Sequence, residues 1–390
     1  MISVAQALAQ VFDLLEPLGT ETISLEQAMG RVLAQDAVAS HNQPPFASSA
    51  MDGYALVSSD ALAGNSLTVI GESAAGSRFD GAIEAGQCVR IFTGAPVPTG
   101  ANKILIQEDC IRSGNTITIS QNIDTAAYIR PKGTDFSKGA TIPAPRTLTP
   151  NDITLLAAMN IGRLTVTRKP VIALVATGDE LVMPNTPLGP DQIVSSNNFG
   201  LKALIESHGG IARLMPLARD DEAVLRSVLN MCLKVDLIIT LGGASVGDHD
   251  LMGKMIQSGE MDSSFYKVAM RPGKPLLAGR YKGVPLIGLP GNPVSAMVCG
   301  HVFIRPAINA LLGLDKTALE TLPYTLSHDL GANGARAHYM RAVVTGASCQ
   351  VFDRQDSALL SVLAQSNALM VRPPHDPAKS SGDLVDVILL

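Results

Sequence analysis

Tryptophan is absent from this chain, and aromatic residues together make up 4% of its 390 positions. Stacking platforms for single-stranded nucleic acid are built from aromatic side chains, so their scarcity argues against that ligand. A basic surplus is missing too. The formal net charge is −5, whereas neutralising a phosphate backbone takes a basic face. Cysteines at 88, 110, 232, 299 and 349 form no C-x-x-C pair. Neither a disulfide framework nor a thiolate zinc site is expected, and a reducing cytoplasm is. No G-K-[ST] occurs, which removes the ordinary P-loop. No uninterrupted apolar run approaches the ~20 residues of a membrane span. The start MISVAQALAQVFDLLEPLG lacks a basic n-region and carries Asp13 and Glu16 where a leader peptide stays apolar, so no leader is expected. Internal repeats and low-complexity tracts are absent.

Apolar residues, at 46%, suffice for packed cores, and the length suggests roughly two to four domains. Ser3 stands before a helical apolar pattern at Val4, Leu8, Val11, Phe12 and Leu15. Ser24 with Gln27 reads as a capping box opening a second short helix. From 40 to 137 short β-rich runs alternate with turns, including the hairpin IRSGNTITIS. TLTPNDITLLAAMNIG (147–162) returns to helix, capped by Thr149 or Asn151, and is expected to pack back on the first helices. From 170 strands alternate with helices: PVIALVAT, then a helix over 197–210, IARLMPLA, a helix from 221, VDLIIT, a helix from 249, VPLIGL, and a long helix from Asn292 to Gly313. This is βαβ alternation, so a parallel doubly wound sheet is expected. Short strands after 314 suggest a small β barrel. The domains expected are 1–39 with 138–166, 40–137, 167–314 and 315–390.

Ligands of an open α/β sheet bind beyond the carboxyl ends of its strands. Each such position here is polar or glycine-rich: Thr177-Gly178-Asp179-Glu180, Arg219-Asp220-Asp221, GGASVGDHD after 240, and Pro290-Gly291-Asn292-Pro293. Glycines let N–H groups approach an anion, whereas aspartates repel one, so either a cation mediates or two different groups are held side by side. Glu180, Asp220 and Asp250 offer the hard oxygen donors that Mg²⁺ takes beside a phosphate. Asp220 and Asp250 also stand where helix N-caps are expected. Gly242, Gly243, Ser245, Gly247, Pro290, Gly291 and Asn292 are placed to hold phosphate at helix N-termini. In KVAMRPGKP, Lys267, Arg271 and Lys274 crowd one short segment, as an oxyanion site or a solvated loop would require.

The stretches PPFASSAMDGYA, IFTGAPVPTGAN, IRPKGTDF, ATGDEL, LGGASVGDHD, MRPGKP and LPGNPVSA follow one another over most of the chain. Together they closely resemble the molybdopterin molybdenumtransferases, the family of MoeA and the gephyrin C-terminal domain. The resemblance implies a discontinuous, elongated N-terminal region, a small β domain, a central molybdopterin-binding α/β domain and a C-terminal β barrel. It implies a cytoplasmic homodimer whose sites are shared between subunits. It also implies a reaction in which molybdate and adenylylated molybdopterin give molybdenum cofactor and AMP. Partners implied are a molybdopterin adenylyltransferase and recipient apo-molybdoenzymes, with no nucleic acid and no membrane. Glu180, Asp220 and Asp250 match the acidic residues of the family's site, and Asp52 and Thr93 its β-domain contribution. Lys267, Arg271, Lys274 and Ser295 match residues linked to oxyanion binding, as do Arg341 and Ser366 in the barrel. The chain departs from the family's usual residues at Ala47, Ser48, Ser195 and Arg271. Two other readings stand beside this one: an adenylyltransferase, whose fold resembles the central domain alone, and a non-catalytic cofactor carrier or scaffold.

Overall fold

The computed structural model describes residues 1–243 and 251–390. Its centre is a six-stranded sheet in the order Ile211–Leu214, Val171–Ala176, Leu237–Leu241, Val284–Leu289, Leu277–Tyr281, Met261–Tyr266. The runs VIALVA and LIITL are almost wholly buried, as strands covered on both faces must be. Along Val171–Ala176 alternate residues enter two different cores. Ile172, Leu174 and Ala176 join helix Asn197–Ser207 and the helix beginning at Pro293. Ala173 and Val175 join helices Glu222–Asn230 and Leu251–Gln257 on the other face. The sheet is therefore doubly wound.

The expected parallel order holds for the four strands from Ile211–Leu214 to Val284–Leu289. The last two strands instead run antiparallel to their neighbours. Lys282 (φ 47°) and Gly283 (φ 86°) form the tight turn between Leu277–Tyr281 and Val284–Leu289, a two-residue hairpin loop of the left-handed kind. The long helix expected from Asn292 runs as Pro293–Cys299, a π turn at Gly300–Ile304, and Arg305–Leu311. It is long and apolar enough to cross a bilayer, yet it is the core helix of this domain, 78% buried.

The N-terminal strands Thr20–Ser24, Val32–Leu33, Arg146–Thr147 and Arg163–Thr167 form one sheet. Helix Pro150–Ala158 packs against it; Thr149 accepts from Asp152 N at 3.3 Å, and Asp152 accepts from Thr149 N at 2.8 Å. The second short helix is a single 3₁₀ turn, Leu25–Gln27, and Ser24 makes no cap bond to it. Helix Val4–Asp13, capped by Ser3, lies on the central domain's core instead. Residues from Gly53 to Ile119 supply a second six-stranded sheet, with the expected hairpin at Cys110–Ser113 and Thr116–Ile119. At the C-terminus, Leu322–Leu326, Ala337–Thr345, Ser348–Val351, Ala368–Arg372 and Leu384–Leu389 close into a barrel through the pairing of Ala337–Thr345 with Ala368–Arg372. Met270–Arg271, from the central domain, adds to this barrel in parallel, Arg271 opposite His338. That pairing sets the cationic loop at the junction of two domains.

Candidate active site

The chain order of the central sheet reverses between Val171–Ala176 and Leu237–Leu241, the place where α/β sheets bind ligands. A cleft of about 430 Å³ opens there, within the usual range for small-molecule sites. Three loops converge on it. Thr177 donates its N–H to Leu241 O at 2.9 Å and Gly178 to Ala218 O at 3.1 Å. Gly242 (φ +89°) leaves no room for a side chain: a Cβ would lie 2.9 Å from Thr177 O. Asn197 Nδ2 donates to Gly291 O at 2.7 Å, tying the third loop to helix Asn197–Ser207.

Glu180, Asp220, Gly242, Gly243, Pro290, Gly291 and Asn292 all line this cleft. The N-cap of helix Glu222–Asn230 is Asp221, which accepts from Val224 N at 2.9 Å. Asp220 is thus not the cap, and it lines the cleft. Gly242 spends its N–H on Leu289 O at 3.2 Å, so of the described glycine pair it has no N–H to offer a ligand. Ser245, Gly247 and Asp250 lie outside the described residues. Among the described residues no group of three acidic, histidine or cysteine side chains gathers to hold a metal; Glu180 and Asp220 face the cleft as a pair.

A second cavity of about 300 Å³ adjoins the first, sharing Pro275 and Asn292 as wall. Arg271, Lys274 and Arg336 bring three cations to it, beside Ser295 and the barrel segment Gln355-Asp356-Ser357. Asn292 leaves its helix uncapped and donates from Nδ2 to Ser357 Oγ at 3.2 Å. Beneath the loop, Gly273 (φ +115°) rests on Cys299, whose Sγ would lie 2.5 Å from a Cβ at 273. Complete burial raises the Cys299 thiol pKa. His338, opposite Arg271, is held neutral down to about 4, first by burial and then by Arg271, Arg372, Arg341 and Arg336.

The structure does not bring the remaining expected residues into either cavity. Lys267 keeps its ammonium 5.7 Å from the Tyr266 ring centroid, while its backbone (φ 138°) receives the N–H of Ile2. Arg341 is 1% exposed and bonded into the barrel wall. Ser366 donates to Val362 O at 2.8 Å across its own short helix. Asp52 and Thr93 sit together in the β domain: Asp52 Oδ1 accepts from Thr93 N and Oγ1, both at 2.7 Å. These bonds lower the Asp52 pKa, the backbone N–H foremost. Neither residue lines the cleft.

Sequence reasoning missed Arg336, Gln355, Asp356 and Ser357 in the cationic cavity, and Ile193 and Val194 in the cleft. Arg336 and Ser357 reach the site only through the barrel's packing on the central domain, for which short-range spacing carries no signal. Ser195, buried at 3% exposure, donates to Asn198 Oδ1 at 3.1 Å at the cleft edge.

Residues 2–160 match the MoeA N-terminal region (domain I and II), 173–310 the probable molybdopterin binding domain, and 324–390 the MoeA C-terminal region (domain IV). The molybdopterin molybdenumtransferase of Nostoc sp. is 33% identical over 410 residues, covering 100% of this chain and 94% of that protein. That of Haemophilus influenzae is 32% identical, covering 99% and 98%. The crystal structure of the molybdopterin biosynthesis MoeA protein from Pyrococcus horikoshii OT3 superimposes over both chains in full, with a TM-score of 0.87 at 26% identity. With its domains matched in order and these relatives aligned from end to end, the chain belongs to the molybdopterin molybdenumtransferase family.

Proposed function

We propose that this enzyme inserts molybdenum from molybdate into adenylylated molybdopterin and releases AMP, a step of molybdenum cofactor biosynthesis. The observation that carries the reading is the adjacency of two cavities: a glycine-lined cleft with two carboxylates, and, behind the same Pro275–Asn292 wall, a pocket whose three cations outnumber its one carboxylate, Asp356. A phosphate-bearing pterin fits the first and a tetrahedral dianion the second.

Gly243 N–H and the start of the helix at Pro293 hold phosphate. Arg271, Lys274 and Arg336 hold molybdate, with Ser295 donating from the buried side. Glu180 and Asp220 would hold a divalent cation such as Mg²⁺, a hard ion that takes carboxylate oxygens. Bound there, it would supply neutralisation of the charge that develops as the phosphoanhydride breaks. Asp52, kept ionised by Thr93, is contributed by a second copy of the chain, so the working unit is a homodimer with shared sites. A cytoplasmic setting accords with five cysteines that are all unpaired. A molybdopterin adenylyltransferase as supplier and apo-molybdoenzymes as recipients complete the proposal.

The test is AMP release from adenylylated molybdopterin and Mg²⁺, with and without molybdate. Molybdate-dependent AMP release that activates an apo-molybdoenzyme is the expected result. Pyrophosphate release from ATP and molybdopterin identifies an adenylyltransferase instead, and tight binding without AMP a carrier.

A further inference from the structure

We propose that Arg90 is a positioning residue for the Asp52 carboxylate: its guanidinium joins the ends of three strands of the β domain and so sets the direction in which Asp52 is presented. The inference rests on the proposal above that Asp52 serves the reaction.

Gly53–Leu56 runs antiparallel to Gln87–Ile91 on one side and to Lys103–Ile106 on the other, with Gly53 opposite both Ile91 and Ile106. Asp52 therefore stands just before the first strand, Phe92 and Thr93 just after the second, and Gln107 just after the third. No side chain at 53 can join these ends, because a Cβ there would lie 1.9 Å from Leu105 O. Arg90 reaches across instead. Its Nη1 donates to Gly53 O at 3.2 Å and its Nη2 to Gln107 Oε1 at 2.8 Å. The same guanidinium lies over the Phe92 ring, 4.7 Å from its centroid, and over the Tyr54 ring at 5.2 Å. One planar cation thus touches all three strand ends, through two hydrogen bonds and two ring faces. Gln107 in turn donates its N–H to Asp52 O at 3.1 Å, which closes the arrangement around the Asp52 backbone.

Thr93 acts differently. Its N–H and hydroxyl both go to Asp52 Oδ1, and beside them Gly94 N–H donates to Ser49 O at 2.8 Å. These bonds tie the turn that carries Asp52 to the turn that carries Thr93. They do not tie the pair of turns to the sheet. Oδ2 accepts no hydrogen bond from the described residues, so it is the oxygen left for substrate. Where it points follows from where the two turns sit on the strand ends, and Arg90 sets that. The two Thr93 donors do most to keep Asp52 ionised, and the charge of Arg90 adds least. The part of Arg90 is therefore geometric. Lysine keeps the charge but lacks the planar fork that reaches Gly53 and Gln107 together.

The experiment uses the full chain with Arg90→Lys, Phe92→Leu, Asp52→Asn and the Arg90→Lys/Asp52→Asn double variant. It reads AMP release from adenylylated molybdopterin, in steady state and in single turnover, alongside thermal melting. Arg90→Lys is expected to lower kcat ~30-fold with both substrate KM values within about 2-fold of wild type. In the Asp52→Asn background, read as single-turnover AMP release, the same change has no further effect, because the carboxylate it positions is gone. Phe92→Leu removes one ring and no charge, and is expected to lower kcat ~5-fold, so it tests the arrangement even where Arg90→Lys does not fold. A lowered melting temperature with wild-type kcat overturns the proposal, leaving Arg90 merely structural. Equal losses from Arg90→Lys with and without Asp52 also overturn it, since the arginine then acts independently of that carboxylate. Asp52→Asn with wild-type turnover removes the underlying reading of Asp52, a failure visible without any Arg90 variant.

Discussion

Gly178 has φ +150°, and a Cβ on it would lie 2.6 Å from a Glu180 carboxylate oxygen. The glycine is therefore what lets Glu180 fold back against its own loop. Gly178→Ala is expected to displace that carboxylate and lower the AMP-release rate ~100-fold, as small misplacements of reacting groups do. Turnover measured beside an unchanged circular dichroism spectrum checks this. His338 makes a second prediction. Its folded pKa is lowered to about 4 from an ordinary 6.5, so between those values the unfolded chain binds the extra proton. Stability is fully present above 6.5 and is lost as pH falls towards 4. His301, lowered to about 4 chiefly by burial, acts in the same direction. His338→Gln is expected to flatten the melting-temperature curve over that window, and an unflattened curve counts against this account. Single residues were unevenly legible. The capping aspartate is the neighbour of the cleft aspartate, and what distinguishes Asp221 from Asp220 is the bond Asp221 accepts from Val224 N. Arg341 carried the charge of an anion ligand, but an arginine in a sequence does not tell its burial.

Helices Asn197–Ser207 and Pro293–Leu311 cross at two glycines. A Cβ at Gly200 would lie 2.8 Å from Met297 Sδ, and one at Gly300 would lie 2.6 Å from Leu201 Cδ2. The approach brings the third cleft loop, at the start of the second helix, within reach of Asn197. Gly300→Ala is expected to destabilise the fold by about 1–3 kcal/mol through overpacking, read as a lower urea midpoint at constant slope. The parallel strands and their helices could be read because each is one long apolar or amphipathic run. Met261–Tyr266 could not: only Met261 and Phe265 of MDSSFY are buried, and its pairing is set by the hairpin beyond it. Thr149 was legible as a cap because a full helix follows it. Ser24 was not, since its pattern opens one 3₁₀ turn and no more.

At the scale of the whole molecule, the fold separates what the proposed reaction has to combine. Asp52 and Thr93 are held in the β domain, bonded to each other, while Glu180 and Asp220 line the central cleft. A mixture of Asp52→Ala and Asp220→Ala chains, each inactive alone, is expected to recover about a quarter of wild-type activity after subunit exchange. Half of the randomly paired dimers carry both changes, and each of these has one intact site of two. No recovery would place both residues in a site made by one chain. The separation also explains what the sequence left unread. The motifs named most of the residues, but their distribution between cavities, and the barrel's share in the cationic pocket, depend on how distant domains dock. That docking is written in the pairing of Met270–Arg271 with the barrel and in the seat of Ser357 on Asn292.

Molybdenum is thiophilic, and an enzyme that handles it has to avoid poisoning itself with its own sulfur. Cys299 lies directly under the cationic loop, behind the bare backbone of Gly273. Its thiol is fully enclosed and protonated, so it is neither a nucleophile nor a competent soft ligand. The thiols of Cys88, Cys110, Cys232 and Cys349 are likewise raised by burial. On the reaction proposed above, metal delivered to that loop meets no competing protein thiolate, and the dithiolene of its substrate is the sulfur left for it to take.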